Sequence, residues 1–239
     1  RLSYLNFIGD AVIMGAILLL AGGLMSGITI GLFSLIGLQI EKFYLEYIAV
    51  FGLAAAPSVA THLTQTNPQL VNKVPPIIAK IFSPLVLIML IIYLGAIVYS
   101  GKDLYNDREF LMLFNMLLIG VMGLIFFSVA ESSKEEKSDK GIWILVLLSL
   151  VTIVVNGVAL SAIAFRIAEW GISPNRMAVL GVNILMLIHL LIVSNKLVQT
   201  VRRRSQLEDV GFILVKYLLI YFIWTAMLVF LFPFLFDFQ

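Results

Sequence analysis

The fold class this sequence predicts is all-α: a polytopic transmembrane helix bundle of about seven spans. Three observations lead there. The chain is 61% apolar and only 13% charged, whereas a soluble domain carries about 25% charged residues. Its mean hydropathy of +1.05 belongs to a chain whose solvent is lipid. Apolar runs long enough to cross a bilayer, roughly 20 residues each, alternate with short polar connections that hold most of the charge. Residues 1–239 are read as a single transmembrane helical domain. Because the chain begins at Arg1 and stops at Gln239 just after an apolar run, it is also read as a piece of a longer protein.

The first span is placed at about Ala11 to Leu38. Gly23, Gly27 and Gly31 recur every four residues, so one face is expected to admit a helix partner closely, as in small-xxx-small packing. Glu41, Lys42 and Glu46 follow as a charged turn. The second span, about Phe43 to Leu63, contains Pro57, which is expected to kink it or, with Ala54 to Ala56, to allow tight packing, and His62 near its end, an interfacial hydrogen-bonding group. Thr64 to Pro76 reads as a loop. Ile77 to Ser83 fits either a short interfacial helix or the start of a third span kinked at Pro84 and ending near Tyr99, since proline is tolerated in membrane helices.

The connection from Ser100 to Glu109 holds Asp103, Asp107 and Arg108, a charged network that largely neutralises itself. Two carboxylates four residues apart could hold a divalent cation, but no further ligand pattern accompanies them. Asn106 or Asp107 is expected to cap the fourth span, about Phe110 to Ala130, which carries Asn115, Gly120 and Gly123. A mixed-charge loop follows. In the fifth span, about Ile142 to Phe165, Ser149, Thr152 and Asn156 share one narrow face, which is expected to point into the bundle.

Arg166 to Arg176, reading Arg-Ile-Ala-Glu-Trp-Gly-Ile-Ser-Pro-Asn-Arg, is the most informative stretch. Proline fixes its own φ and pushes the preceding residue away from the helical region, so one helix is expected to stop near Gly171 and another to start at Ser173-Pro174. Arg166 and Glu169 are three apart and can pair. Arg176 opens the sixth span, Met177 to Val198, with a charge that a helix N-terminus disfavours. Asn183 lies seven residues on, on the same face. Arg166, Glu169, Arg176, Asn183 and Asn156 are therefore the candidate ligand-binding residues, a site of anionic preference. His189 points elsewhere. The seventh span, Val210 to Phe236, follows the run Arg202-Arg203-Arg204, contains Lys216, and places Trp224 too deep for an interfacial belt.

Basic residues sort unequally between the two sides. Arg1, Lys73, Lys80, Lys134, Lys137, Lys140, Lys196, the arginine triplet and Lys216 make eleven on one side; Lys42, Lys102, Arg108, Arg166 and Arg176 make five on the other. The positive-inside rule puts the N-terminal end of the chain in the cytoplasm and the hinge outside.

Asn156-Gly157, the hinge Arg166 to Arg176 and the loop Gly101-Lys-Asp-Leu-Tyr-Asn-Asp-Arg-Glu109 resemble a family of bacterial multi-pass membrane proteins grouped only as a domain of unknown function, over most of the chain. In that family the hinge reads aromatic-Gly, an aliphatic residue, Ser or Thr, and then Arg, matched here by Trp170, Gly171, Ile172, Ser173 and Arg176. The resemblance implies a bacterial cytoplasmic (inner) membrane protein and no established activity or cofactor.

The composition excludes some chemistry. With no cysteine there is no disulfide, thiolate metal site or cysteine nucleophile, and a net charge of +2 without a basic stripe argues against nucleic acid. No cofactor or metal is expected, and membrane lipids are the partners. Three functions remain: a transporter or accessory component binding a small anionic or lipidic ligand near the outer face; an enzyme on a lipid-linked substrate with Glu169, Asp103 or Asp107 as base; or a non-catalytic scaffold or signalling subunit. An outer cavity containing Arg166 and Arg176 favours the first; a closed bundle with an exposed glycine stripe favours the last.

Overall fold

The computed structural model describes residues 2–66, 74–101, 108–132, 139–203 and 205–236. Seven helices among them are long and apolar enough to cross a membrane: α1 (Leu2–Leu35), α2 (Glu41–Thr66), α3 (Val74–Ser100), α4 (Arg108–Ser132), α5 (Asp139–Trp170), α6 (Pro174–Val201) and α7 (Leu207–Phe230), followed by a short α8 (Phe232–Leu235). The described residues contain no strand. The chain is an integral membrane protein by this architecture, since only helices satisfy every backbone polar group within one segment in lipid.

Helix α5 occupies the centre. It packs against α3, α4 and α6, and half of its most apolar stretch is buried in protein. Its Leu145, Leu148, Val155, Ala159 and Ala162 meet Leu90 of α3, Leu118 and Val121 of α4 and Leu190 and Val193 of α6 in one core. Helix α1 leans on α3 and α4 through an aromatic group in which Tyr93 stands edge-on to Phe33, 5.3 Å between centroids, and Phe114 stacks obliquely on Phe110 at 4.1 Å. Helix α2 is peripheral and held mainly by α1, through Met14, Leu18 and Ala60. The outer apolar faces of α1, α2 and α7 are exposed, as lipid-facing surfaces are.

Several expectations are revised in detail. Helix α3 is continuous from Val74 through Pro84, so the stretch Ile77 to Ser83 belongs to the span. Pro57 lies inside α2, and the Thr61 hydroxyl donates back to the Pro57 carbonyl at 2.7 Å. Glu41, Lys42 and Glu46 are not a turn. They lie in the first turns of α2, which include a π-helical stretch over Tyr44–Ala49; Lys42 and Glu46 form an exposed ion pair at 4.0 Å.

Among the described residues the glycine stripe of α1 is covered at one end only. Gly23 and Gly27 have nothing within 4 Å of an added Cβ, while Gly31 alone is approached, by Leu113 Cδ1 of α4 at 3.0 Å. The small residues that do set helix spacing are elsewhere. Gly15 faces Ala60, and Gly181 of α6 lies directly against the Trp224 indole of α7, with no room for a Cβ. That contact explains the depth of Trp224: the ring fills the notch left by a missing side chain.

Candidate functional site: an arginine-lined cleft above three asparagines

The hinge between α5 and α6 follows from local chemistry. Helix α5 ends at Trp170, and Gly171 adopts φ +75°, the left-handed conformation that glycine tolerates best at a helix C-terminus. Ser173 is extended (φ −140°, ψ 156°) and serves as N-cap of α6, its hydroxyl accepting from the Arg176 amide at 3.4 Å, with Pro174 opening the helix. Proline is suited to that position because its missing N–H would have no partner there.

Arg176 resolves its poor fit to a helix N-terminus by reaching back. One guanidinium nitrogen, Nη1, donates to the Trp170 carbonyl at 2.8 Å and to the Gly171 carbonyl at 2.7 Å. These are the carbonyls left open where α5 ends, and a cation there also meets the favourable end of that helix's dipole. Two guanidinium groups lie over the Trp170 ring, Arg166 at 5.2 Å and Arg176 at 5.7 Å from its centroid, within cation–π range.

Arg166 does not pair with Glu169. Glu169 is exposed, and the ion pair found among the described residues is Lys42–Glu46 on another helix. The Arg166 Nε is buried and makes no hydrogen bond. Arg166, not Arg176, is thus the arginine with donors to spare.

Both arginines line a cleft of about 600 Å³ together with Leu111, Met112 and Asn115 of α4, Ile163 of α5, and Ser173, Asn175 and Val179 at the start of α6. Beneath it three asparagines from three helices are linked. The Asn183 Nδ2 donates to Asn115 Oδ1 at 2.6 Å and to the Val179 carbonyl at 2.9 Å, and Asn156 Nδ2 donates to the Asn183 carbonyl at 3.3 Å. Asn156 and Asn183 are fully buried, and the side-chain oxygen of each lacks a donor. Leaving a buried polar group unsatisfied costs about 1–3 kcal/mol.

The hinge, Arg166, Arg176, Asn183 and Asn156 are therefore brought together as one structure, with Glu169 outside it. Asp103 and Asp107 lie outside the described residues, and Arg108 is described only as the first residue of α4. Sequence reasoning did not place Asn115 in the site; its signal was a single amide in an otherwise apolar stretch of α4. Ser149 and Thr152 are buried beside Asn156 on α5 as expected, yet each hydroxyl is spent on its own helix, donating to Val146 O and Leu148 O. His189 does look elsewhere: it stacks on Tyr217 at 4.2 Å and contacts the Tyr221 hydroxyl at 3.3 Å, tying α6 to α7. Among the described residues no group of three or more His, Cys, Asp or Glu is placed to hold a metal.

No family model matches the chain, nor does a curated protein or a solved structure.

Proposed function

We propose that this chain is a transporter or accessory membrane component that binds a small anionic or lipidic ligand in the hinge cleft, at the outer face of a bacterial inner membrane. The kinship suggested by the Trp170-Gly171-Ile172-Ser173-Arg176 pattern and the unequal distribution of basic residues support that membrane and that orientation. The observation carrying the proposal is Arg166. It is a half-buried, permanently charged guanidinium with an unpartnered Nε, on the wall of a cavity and without a carboxylate among the described residues to neutralise it. Charges held in this way within membrane helices commonly mark ligand or ion paths. The planar fork suits a phosphate or carboxylate.

Titration of the purified chain in detergent with methyl phosphate and short-chain phosphatidylglycerol, followed by thermal stability, tests this proposal. The wild type should be stabilised by at least one of them, Arg166→Gln by neither, and Arg166→Lys only partly. Equal stabilisation of wild type and Arg166→Gln would refute it.

One observation favours a second reading, the scaffold. Gly23 and Gly27 present a bare strip of α1 to the membrane, open to a helix of another chain. Loss of self-association or of a co-purifying subunit in Gly27→Leu, with ligand stabilisation intact, would support that role instead.

A further inference from the structure

Asn115 is a half-buried amide with one end spent and the other free. Its neighbours fix which end is which. The side-chain nitrogen of the buried Asn183 lies 2.9 Å from the Val179 carbonyl, a group that only accepts, so the atom there is Nδ2. The same nitrogen lies 2.6 Å from the Asn115 side chain, and two N–H groups do not face each other at that distance. Asn115 therefore turns its Oδ1 to Asn183. Its Nδ2 is left as the end directed away from Asn183, on a residue that lines the cleft, and makes no hydrogen bond among the described residues. A backbone carbonyl of α6 thus orients one amide, and that amide orients the next.

The other polar groups on the cleft walls match Asn115. Arg166 carries donors only, and its Nε is unmet. The Ser173 hydroxyl accepts from the Arg176 amide, which leaves its hydrogen to donate. Arg176 is turned to the carbonyls at the end of α5, and Asn175 is exposed to water. No carboxylate is among the described residues that line the cleft. Helix α4, helix α5 and the cap of α6 each contribute a donor: Asn115, Arg166 and Ser173.

Resting on the assignment of the cleft as an anion site, we propose that Asn115 is a second ligand-binding residue, donating from Nδ2 to an oxyanion held by Arg166, and that Asn183 is the positioning residue that keeps this N–H available. The ligand group is then an ionised oxyanion that offers acceptor oxygens to both walls and no hydrogen-bond donor to either. A free phosphodiester and the phosphate of a lipid headgroup share that chemistry.

The test follows the side-chain amide signals of the purified full chain labelled with ¹⁵N-asparagine, with the Asn115 signals identified by their loss in Asn115→Asp. Dimethyl phosphate in detergent is one arm, and phosphatidylglycerol in nanodiscs is the other. Binding should move the Asn115 Nδ2 protons downfield in the wild type and leave them in place in Arg166→Gln. Movement in the first arm assigns a free ester, and movement confined to nanodiscs assigns a lipid; either supports the proposal. Asn115→Ala removes the N–H without adding charge and should weaken binding about tenfold, the worth of one hydrogen bond. Asn115→Asp keeps the acceptor for Asn183 while replacing the donor, and should weaken it further. Asn183→Leu leaves every cleft-lining residue in place, yet should weaken binding too, with no added loss when combined with Asn115→Ala. The wild-type signals decide the matter even if that variant folds poorly. Stationary Asn115 signals in a chain that binds through Arg166, or full affinity in Asn115→Ala, would overturn the role of Asn115 and leave the anion site standing. Absence of wild-type binding in both arms would remove the anion site itself.

Discussion

Replacing Arg176 by glutamine should destabilise the protein, and by more than the same change at Arg166. The guanidinium of Arg176 makes two charge-assisted hydrogen bonds to the terminal carbonyls of α5 and lies 5.7 Å from the Trp170 centroid. Hydrogen bonds to charged groups contribute about 1.5–3 kcal/mol when removed from water. This side chain is only partly buried, and both bonds share one nitrogen, so solvent screening reduces the total to about 1–2 kcal/mol. For a chain of this length that corresponds to a fall in Tm of roughly 2–8 °C. Among the described residues Arg166 makes no side-chain hydrogen bond to lose. Its cation–π contact is worth about 0.5–1 kcal/mol at an exposed site, offset by relief of the buried Nε, so Arg166→Gln should hardly move Tm. The assay is thermal unfolding of both variants in one detergent, with Arg176→Lys as a control that keeps the charge but loses the planar group. A larger loss in Arg166→Gln than in Arg176→Gln would refute the assignment of Arg176 as staple and Arg166 as the free cation.

Gly181→Ala should cost about 1–3 kcal/mol by overpacking, since its Cβ would collide with the Trp224 indole; in a Trp224→Ala background the same change should cost almost nothing, and additive losses would exclude the notch. Gly27→Leu and Gly9→Leu should leave the detergent-solubilised monomer equally stable, as neither site has a neighbour within 4 Å, whereas Gly31→Leu should lower Tm by displacing Leu113. Single cysteines introduced as Ile172→Cys and Glu208→Cys, in a chain with no native cysteine, should react with a membrane-impermeant thiol reagent in intact cells at position 172 only. Labelling of both from outside would reject the single crossing by α6 between these two positions.

The spans were legible because hydropathy is a property of composition over a long window, and lipid permits few alternatives. The hinge was legible because Gly171, Ser173 and Pro174 act on the backbone locally. What the sequence hid was partner choice. Arg166 and Glu169 have favourable spacing for a pair, yet Trp170 takes the guanidinium by its ring and Glu169 remains in solvent. The glycine period of α1 marked a face without saying whether this chain would cover it. Gly181 and Trp224, 43 positions apart on different helices, carry no periodic signal at all. Asn115 illustrates the same limit: its role depends on the axial register of α4 against α6, which no spacing within α4 encodes.

The Arg176 staple has a mechanical consequence. By fastening the start of α6 to the last carbonyls of α5 it makes that elbow stiff, so α5 and α6 turn as one lever. Flexing the hinge to widen the cleft would break both hydrogen bonds of the staple. Moving α4 away from this lever would instead break, at the floor of the cleft, the side-chain hydrogen bond from Asn183 to Asn115. That amide contact and the apolar packing of Leu118 and Val121 on α5 together hold the floor of the cleft closed.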